Sequence, residues 1–325
     1  MELTFIEMFS GIGGFRLGLE RAGWRCVWAN DIDKYASAVY RRHFGEKELI
    51  EGDIRTIDAN SIPEHTLLTA GFPCQSFSVA GRRKGFEDAR GTLFYDVTRI
   101  ASAKRPPLLL LENVKGILSI QRGYCFTKIL QTLDELGYDV EWQVLNSKYF
   151  GVPQNRERVF IIGHLREACT KPIFPIATSF KNTVETSEEG LIVYDGHHKK
   201  FTKELGTLTG RENRRGGSWI IMLSHTKANI KQRLQKRFET WTLDGTSTKM
   251  AVVDSLKIRR LTPVECERLQ GFPDGWTEFG ITKDGKTIKI SDTQRYRLLG
   301  NAVTVNVVEF LGLKLYECLR GFKPC

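Results

Sequence analysis

Seven short apolar runs punctuate the first 165 residues, and each gives way to a turn rich in glycine or polar residues. Leu3–Phe9 runs into Ser10-Gly11-Ile12-Gly13-Gly14, Cys26–Asn30 ends at Asp31, and Leu49–Gly52 ends at Asp53. Leu67–Gly71 passes into Phe72-Pro73-Cys74, and Leu108–Leu111 ends at Glu112-Asn113. Val140–Leu145 and Val159–Ile162 complete the set, with helical spacing between runs, as in Phe15–Ala22. Unbroken apolar runs alternating with helices predict a largely parallel sheet covered on both faces, a doubly wound α/β domain. Asp31, Asp53, Cys74 and Glu112 all fall just after predicted strand ends. That is the edge at which open parallel sheets bind ligands.

From about Ile173 the pattern changes. Residues 181–257 carry scattered Gly, Thr and basic residues, with short apolar pieces at Leu191–Val193, Trp219–Leu223 and Met250–Val253 and a helical period only over Ala228–Phe238. A loop-rich, strand-poor second domain is expected. Leu208-Thr209-Gly210 and Leu243-Asp244-Gly245 echo each other ahead of two apolar pieces, and chance accounts for the echo. Regularity returns at Leu261–Gly271, where Thr262 as N-cap, Pro263 at the first helical position and Glu265 three residues after the cap spell a capping box. In the last segment, Gln294–Leu319, Gly300-Asn301 precedes an apolar helix expected to pack back on the first domain. The expected division is 1–178 with 291–325 as one domain and 179–290 as the other. The 259–273 stretch then lies near the hinge, with a cleft between the domains.

Composition changes this picture in one place. No apolar run approaches the ~18 residues of a membrane helix, and Met1-Glu2-Leu3-Thr4 lacks the basic-then-apolar layout of a signal peptide. A cytoplasmic chain with no membrane association is expected. The formal charge is +10, and His197–Arg237 alone holds eleven Lys/Arg against two Asp/Glu. That segment therefore carries +9, and the rest of the chain is close to balanced. The seven cysteines (26, 74, 125, 169, 266, 318, 325) are scattered with no C-x-x-C pair. This points to a reducing compartment, against a disulfide framework or a metal site, and to a buried small hydrophobe as the default for each.

Four motifs carry chemistry. Glycines in Phe9–Gly14 let the backbone approach a ligand and aim amides at it, but Arg16 occupies the third glycine position of G-x-G-x-x-G. A tight structural turn is the competing reading. Asp31, twenty residues after Gly11, is placed to take ribose hydroxyls, and Asp53 to take an adenine amino group. With no P-loop lysine, a nucleoside-like cofactor without a cradled pyrophosphate fits best, which suggests S-adenosylmethionine over NAD. Cys74, after Pro73 and before Gln75, Ser76 and Ser78, reads as an exposed, geometrically fixed thiol, because those neighbours do not suit a core. Glu112 supplies an acid on the next strand. Arg156 and Arg158, at i and i+2, share one face if their strand is extended; taken alone they read as surface salt bridges.

These residues carry a resemblance. Phe9-Ser10-Gly11-Ile12-Gly13-Gly14, Gly71-Phe72-Pro73-Cys74-Gln75, Glu112-Asn113-Val114, Gln154-x-Arg156-x-Arg158, Arg259-x-Leu261-Thr262-x-x-Glu265-x-x-Arg268-Leu269-Gln270-Gly271-Phe272-Pro273 and Gly300-Asn301-Ala302-Val303 occur in one order. Together the chain resembles the bacterial, restriction-modification type of cytosine-5 DNA methyltransferase over about residues 3–165 and 258–316. The resemblance implies a Rossmann-like, S-adenosylmethionine-dependent sheet with a smaller, loop-rich target-recognition domain. It implies Cys74 as a nucleophile adding to cytosine C6, Glu112 at N3 and the exocyclic amine, Arg158 at O2, and Arg156 supporting Cys74 or a phosphate. Which arginine does which is left open. Cofactor contacts carry over to Phe9, Gly11, Gly13, Gly14, Asp31, Ile32, Asp53, Ile54, Pro73, Asn301 and Ala302. Ile32 departs from members that place an aromatic residue against the adenine. No metal is implied.

The resemblance also implies double-stranded DNA as partner and a target base flipped out of the stack. Ser78–Arg90, with Gly81, Arg82, Arg83, Lys84 and Gly85, is the candidate mobile loop. The basic segment is then the target reader. Arg211, Arg214 and Arg215 are candidate guanine or phosphate contacts, and Thr242-Leu243, with Thr207-Leu208 as rival, resembles the family's Thr-Leu element. A monomer working on nucleoid DNA is expected, with a cognate restriction endonuclease as a candidate second partner. A tRNA methyltransferase of the same fold and a non-catalytic DNA-binding relative remain as alternatives. Cys125-Phe126-Thr127 resembles a tRNA-branch signature but lies far from that signature's place.

Overall fold

The computed structural model describes residues 2–73, 93–168, 171–176 and 261–319 in full. Between 177 and 260 it describes the backbone of five short strands. Each early apolar run is a strand: β1 (Thr4–Met8), β2 (Arg25–Asp31), β3 (Leu49–Glu51), β4 (Leu67–Ala70), β5 (Leu108–Val114), β6 (Tyr138–Asn146) and β7 (Glu157–Leu165). They form one sheet in the order β3-β2-β1-β4-β5-β7-β6. The first five are parallel, and β7 pairs antiparallel with both β5 and β6. Glu112 and Asn113 lie inside β5, which continues to Val114, and not after its end.

The helices cover both faces, as the unbroken apolar runs require. They are α1 (Gly14–Arg21), α2 (Lys34–Phe44), α3 (Leu93–Lys104), α4 (Tyr124–Glu135), α5 (Pro263–Leu269), α6 (Asp292–Asn301) and α7 (Val305–Leu319). Alternate strand residues divide the core in two. Ile6, Leu68, Leu109, Leu111 and Ile161 pack with Phe94, Val97 and Ile100 of α3 and Ile129 and Leu133 of α4. Phe5, Leu67, Leu108, Leu110 and Ile162 pack with Phe15 and Leu19 of α1 and Val308, Leu311 and Leu315 of α7. Helices α1 and α7 approach so closely that a Cβ on Gly18 would lie 2.7 Å from Val308 Cβ and 2.8 Å from the Val305 carbonyl. Asp292–Leu319 is long and apolar enough to pass as a membrane span, but it is broken between α6 and α7 and two-thirds buried in this core.

Two expectations about the second half change. Residues 261–290 do not belong with the basic segment. Leu261, Cys266, Leu269, Phe272, Trp276 and Ile290 form a third core with Ile12, Ala36 and Val39, the Trp276 indole donates to the Ile12 carbonyl at 3.0 Å, and Gly280 lies on Ala38 of α2. The boundary drawn at 290 therefore moves to about 260. The segment before it is also less strand-poor than expected. β8 (Ile192–Asp195), β9 (Lys200–Thr202), β10 (Ser218–Ile221), β11 (Val252–Asp254) and β12 (Lys257–Arg259) form a sheet in the order β12-β11-β10-β8-β9. The two pieces that follow the Leu-x-Gly echo are β10 and β11, paired parallel. A hairpin of β13 (Phe279–Ile281) and β14 (Thr287–Lys289) completes the described residues.

Candidate active site

The glycine loop opens where β1 ends. Phe9 and Gly11 both sit at φ 56°, a left-handed turn that folds the loop back over the sheet edge. The Gly11 amide donates to Asp31 Oδ2 at 2.7 Å, and the Asp33 amide donates to Oδ1 at 2.7 Å. Each Asp31 oxygen thus keeps accepting capacity toward the open edge. Burial raises the Asp31 pKa, and the backbone donors partly oppose it. Beside it, Ile32 is 68% exposed, an apolar side chain held out at the same edge. Asn30 ties the neighbouring strand end by donating to the Ile50 and Gly52 carbonyls at 2.8 and 2.9 Å. Asp53 begins a 3₁₀ turn over Ile54–Thr56 and pairs with the Arg55 guanidinium. A carboxylate with free acceptor capacity, an exposed apolar side chain beside it and a further acid on the next strand end fit a ribose and adenine.

The other two glycines serve packing. Gly13, the N-cap of α1 at φ 82°, has Phe44 where a side chain would stand, and a Cβ on Gly14 would meet Val303 Cγ1 at 2.8 Å. Asn301 ends α6, and Ala302 caps it.

Glu112 and Arg158 form the chemical centre of the described residues. Arg158 Nε lies 3.1 Å from Glu112 Oε1, and both side chains are largely buried. The far carboxylate oxygen lies beside Gly71, 3.6 Å from where its Cβ would be, three residues before Cys74. Burial pushes the Glu112 pKa up, and the charges of Arg158 and Arg156 oppose that rise. Asn113 fixes the exit of β4 by donating to the Phe72 carbonyl at 2.9 Å. Cys74 itself lies outside the described residues, as do Ser78–Arg90 with Arg82, Arg83 and Lys84, and Arg211, Arg214, Arg215 and Thr242.

Neither arginine is a surface salt bridge. Arg156 precedes β7, is 2% exposed, and donates from Nη2 to the Gly300 and Ala302 carbonyls at 3.1 and 2.7 Å. Its charge reaches Glu112, yet its hydrogen bonds hold the turn containing Asn301. Among the described residues, its role is support of that turn.

Sequence reasoning missed the polar ties around this turn. Gln154 donates to the Leu269 carbonyl, Gln270 donates to the Leu299 carbonyl, and Thr304 donates to Gln270 Oε1 and meets Ser147, all within 2.8–2.9 Å. The signal available was polar residues at buried positions of apolar motifs. Missed too was a buried cluster under the glycine loop. Glu7 of β1 is fully buried, accepts from the Tyr40 hydroxyl at 3.2 Å and lies near the Arg16 amide. The residue in place of the third glycine, Arg16, folds its guanidinium over the Phe44 ring at 4.5 Å and bonds Glu20, Glu48 and Tyr40.

Comparison with known proteins agrees with this geometry. The profile of the C-5 cytosine-specific DNA methylase family matches residues 3–317. The chain is 36% identical over 321 residues to the Type II methyltransferase M.DsaV of Dactylococcopsis salina, covering 97% of this chain and 86% of that one. It is 35% identical over 332 residues to the Type II methyltransferase M.HhaI of Haemophilus parahaemolyticus, covering 99% and 96%. Among solved structures, S. pombe Dnmt2 methyltransferase superposes with a TM-score of 0.70 at 23% identity, over 97% and 99% of the two chains.

Proposed function

The chain belongs to the C-5 cytosine-specific DNA methylase family and is a DNA cytosine-5 methyltransferase, and from that premise we propose how its residues divide the work. Cytosine C5 is a poor nucleophile. Cys74 adds to C6 of the flipped base and turns the ring into an enamine, which carries the electron density to C5. Glu112 faces N3, where negative charge develops on addition. A buried carboxyl with a raised pKa is suited to hold a proton there and donate a hydrogen bond. Arg158 orients Glu112 and reaches O2. Loss of the C5 proton and of Cys74 then frees 5-methylcytosine.

S-adenosylmethionine supplies the electrophilic methyl group. Asp31 would hold its ribose hydroxyls, Ile32 the adenine face, Asp53 and Ile54 the adenine edge, and Phe9, Gly11, Pro73 and Asn301 the rest, with Arg156 keeping the Asn301 turn in place. The basic segment 197–237, with Arg211, Arg214 and Arg215, reads duplex DNA, and Arg82, Arg83 and Lys84 close over it. A cognate restriction endonuclease fits this chain as it fits the relatives named Type II methyltransferases.

The observation that carries this reading is the buried Glu112–Arg158 pair set against Gly71 at the strand end that leads to Cys74. The test is methyl incorporation into duplex DNA, with bisulfite sequencing of DNA from expressing cells. Cys74→Ser is expected to abolish turnover and keep cofactor affinity. Retained methylation in that variant would remove Cys74 from the chemistry.

A further inference from the structure

We propose that the cavity between α7 and segment 171–176 is a thiol-modification site, in which Cys318 forms a mixed disulfide with a small anionic disulfide. The cavity encloses about 450 Å³, and its lining includes Lys171, Ile173, Phe310, Lys314, Glu317 and Cys318. That volume falls in the range of small-ligand sites, ~300–1,000 Å³. It lies at the opposite end of the sheet from Glu112: His164, which hydrogen-bonds Cys318 of the lining, pairs with Leu108 at the start of β5. Nothing in the methyl-transfer chemistry uses it.

Three elements bring an acid, an imidazole and a thiol together there. Glu141 of β6 lies 2.8 Å from His164 Nε2 of β7, and the same imidazole hydrogen-bonds Cys318 of α7. An acid that orients an imidazole beside a sulfur is an arrangement that activates thiols. Burial alone would push the His164 pKa down, but its hydrogen bonds to Cys318 and Glu141 carry it to about 9. The ring is therefore cationic at neutral pH. Burial would raise Glu141, yet His164 and the Ile173 and Phe174 amides hold it below the usual carboxylate range, so it stays ionised. Around the sulfur, Ile173, Ile176 and Phe310 form apolar walls. The two lysines outnumber Glu317, which leaves the rim with a net positive charge.

At rest the Cys318 thiol donates to the Lys171 carbonyl at 3.0 Å. In the reaction its proton passes to water, and the thiolate, held by the His164 imidazolium, attacks one sulfur of the disulfide. The new S–S bond forms as the old one breaks, and the departing thiolate takes a proton from solvent. Cys318 is oxidised and the reagent is reduced to one thiol. The adduct takes away the S–H group that Lys171 accepts from, one of the bonds anchoring segment 171–176.

The experiment incubates the full chain with glutathione disulfide and follows each cysteine by peptide mass mapping. Cys26 and Cys266, both buried, serve as internal references. Cys318 is expected to react at least about tenfold faster than either, and His164→Gln to slow it about tenfold. Lys314→Glu, a change at a half-exposed side chain, is expected to slow the anionic glutathione disulfide and not the cationic cystamine. A Cys318 rate no greater than that of Cys26 or Cys266 would overturn the proposal. So would an unchanged rate in a folded His164→Gln, or equal slowing of both reagents by Lys314→Glu.

Discussion

Glu7 offers the sharpest test of the energetics under the cofactor loop. Its carboxyl is fully buried in β1, and the ionisable groups facing it are Arg16 and Glu20 of α1, Cys26 of β2 and Tyr40 of α2. Burial outweighs the attraction of Arg16 and lifts the Glu7 pKa from 4.5 to about 8. Arg16 does not depend on Glu7 for compensation, because Glu20 and Glu48 already pair with it. A folded-state pKa raised above the unfolded value means that the fold prefers the neutral acid. Its stabilising contribution is complete below about pH 4.5 and is lost as pH climbs through about 8. At about 1.4 kcal/mol per pH unit, moving from pH 5 to pH 8.5 removes about 4 kcal/mol. Glu7→Gln keeps the shape and an acceptor for the Arg16 amide but cannot ionise. Urea denaturation of both proteins at the two pH values should find them close at pH 5 and the variant more stable by about 4 kcal/mol at pH 8.5. A variant that instead loses stability relative to the parent as pH rises would refute the reasoning, because it would mean that Glu7 is held ionised as the partner of Arg16.

Three further outcomes follow from named contacts. Gly18→Ala should destabilise by about 1–3 kcal/mol, opposite in sign to the gain of about 1 kcal/mol usual in an exposed helix, because the new Cβ meets a Val305 carbonyl that cannot step aside; a urea midpoint measures it. Arg156→Met removes the Nη2 donor of the Gly300 carbonyl and leaves the Ala302 carbonyl only Gln270 Nε2 at 3.5 Å, at about 1–3 kcal/mol for the group left unpaired, so the midpoint should fall and cofactor affinity with it, and Arg156→Lys should restore part of both. Ile32→Trp should tighten cofactor binding about fivefold, or ~1 kcal/mol, by adding a stacking face at an already exposed position; a titration showing no tightening would place the adenine elsewhere.

What the sequence made legible follows from which interactions are local. Leu108–Leu111 announces a buried strand because every side chain in it is apolar, whichever face it meets. The capping box at Thr262 and Glu265 was legible for the same reason, since all its partners lie within four residues. The reversal of β7 was hidden, because an apolar run does not record strand direction. β9 and β12 escaped notice because Lys200–Thr202 and Lys257–Arg259 are three residues long with one apolar residue each, too short for a periodic signal. The misplaced boundary at 290 has a long-range cause. Phe272 and Trp276 are sparse in their own segment, and the core that claims them is built on Ile12, Ala36 and Val39, more than 200 residues away.

The arginine pair shows how far spacing can mislead about role even when it identifies the residues. Alternation treats Arg156 and Arg158 as equivalents two positions apart, but β7 begins between them, and the chain before a strand need not share its face. Arg158, inside the strand, opposes Val114 of β5 and so stands beside Glu112. Arg156, one residue outside, runs to the carbonyls around Asn301. Both charges nevertheless act on the Glu112 carboxyl, one through contact and one at a distance. Substituting Arg158 should therefore alter both the orientation and the acidity of Glu112, whereas substituting Arg156 should alter its acidity and the cofactor-side turn together. The motif joins the proposed base-binding carboxylate to the proposed cofactor turn, so a change in either arginine reaches both halves of the site by different routes.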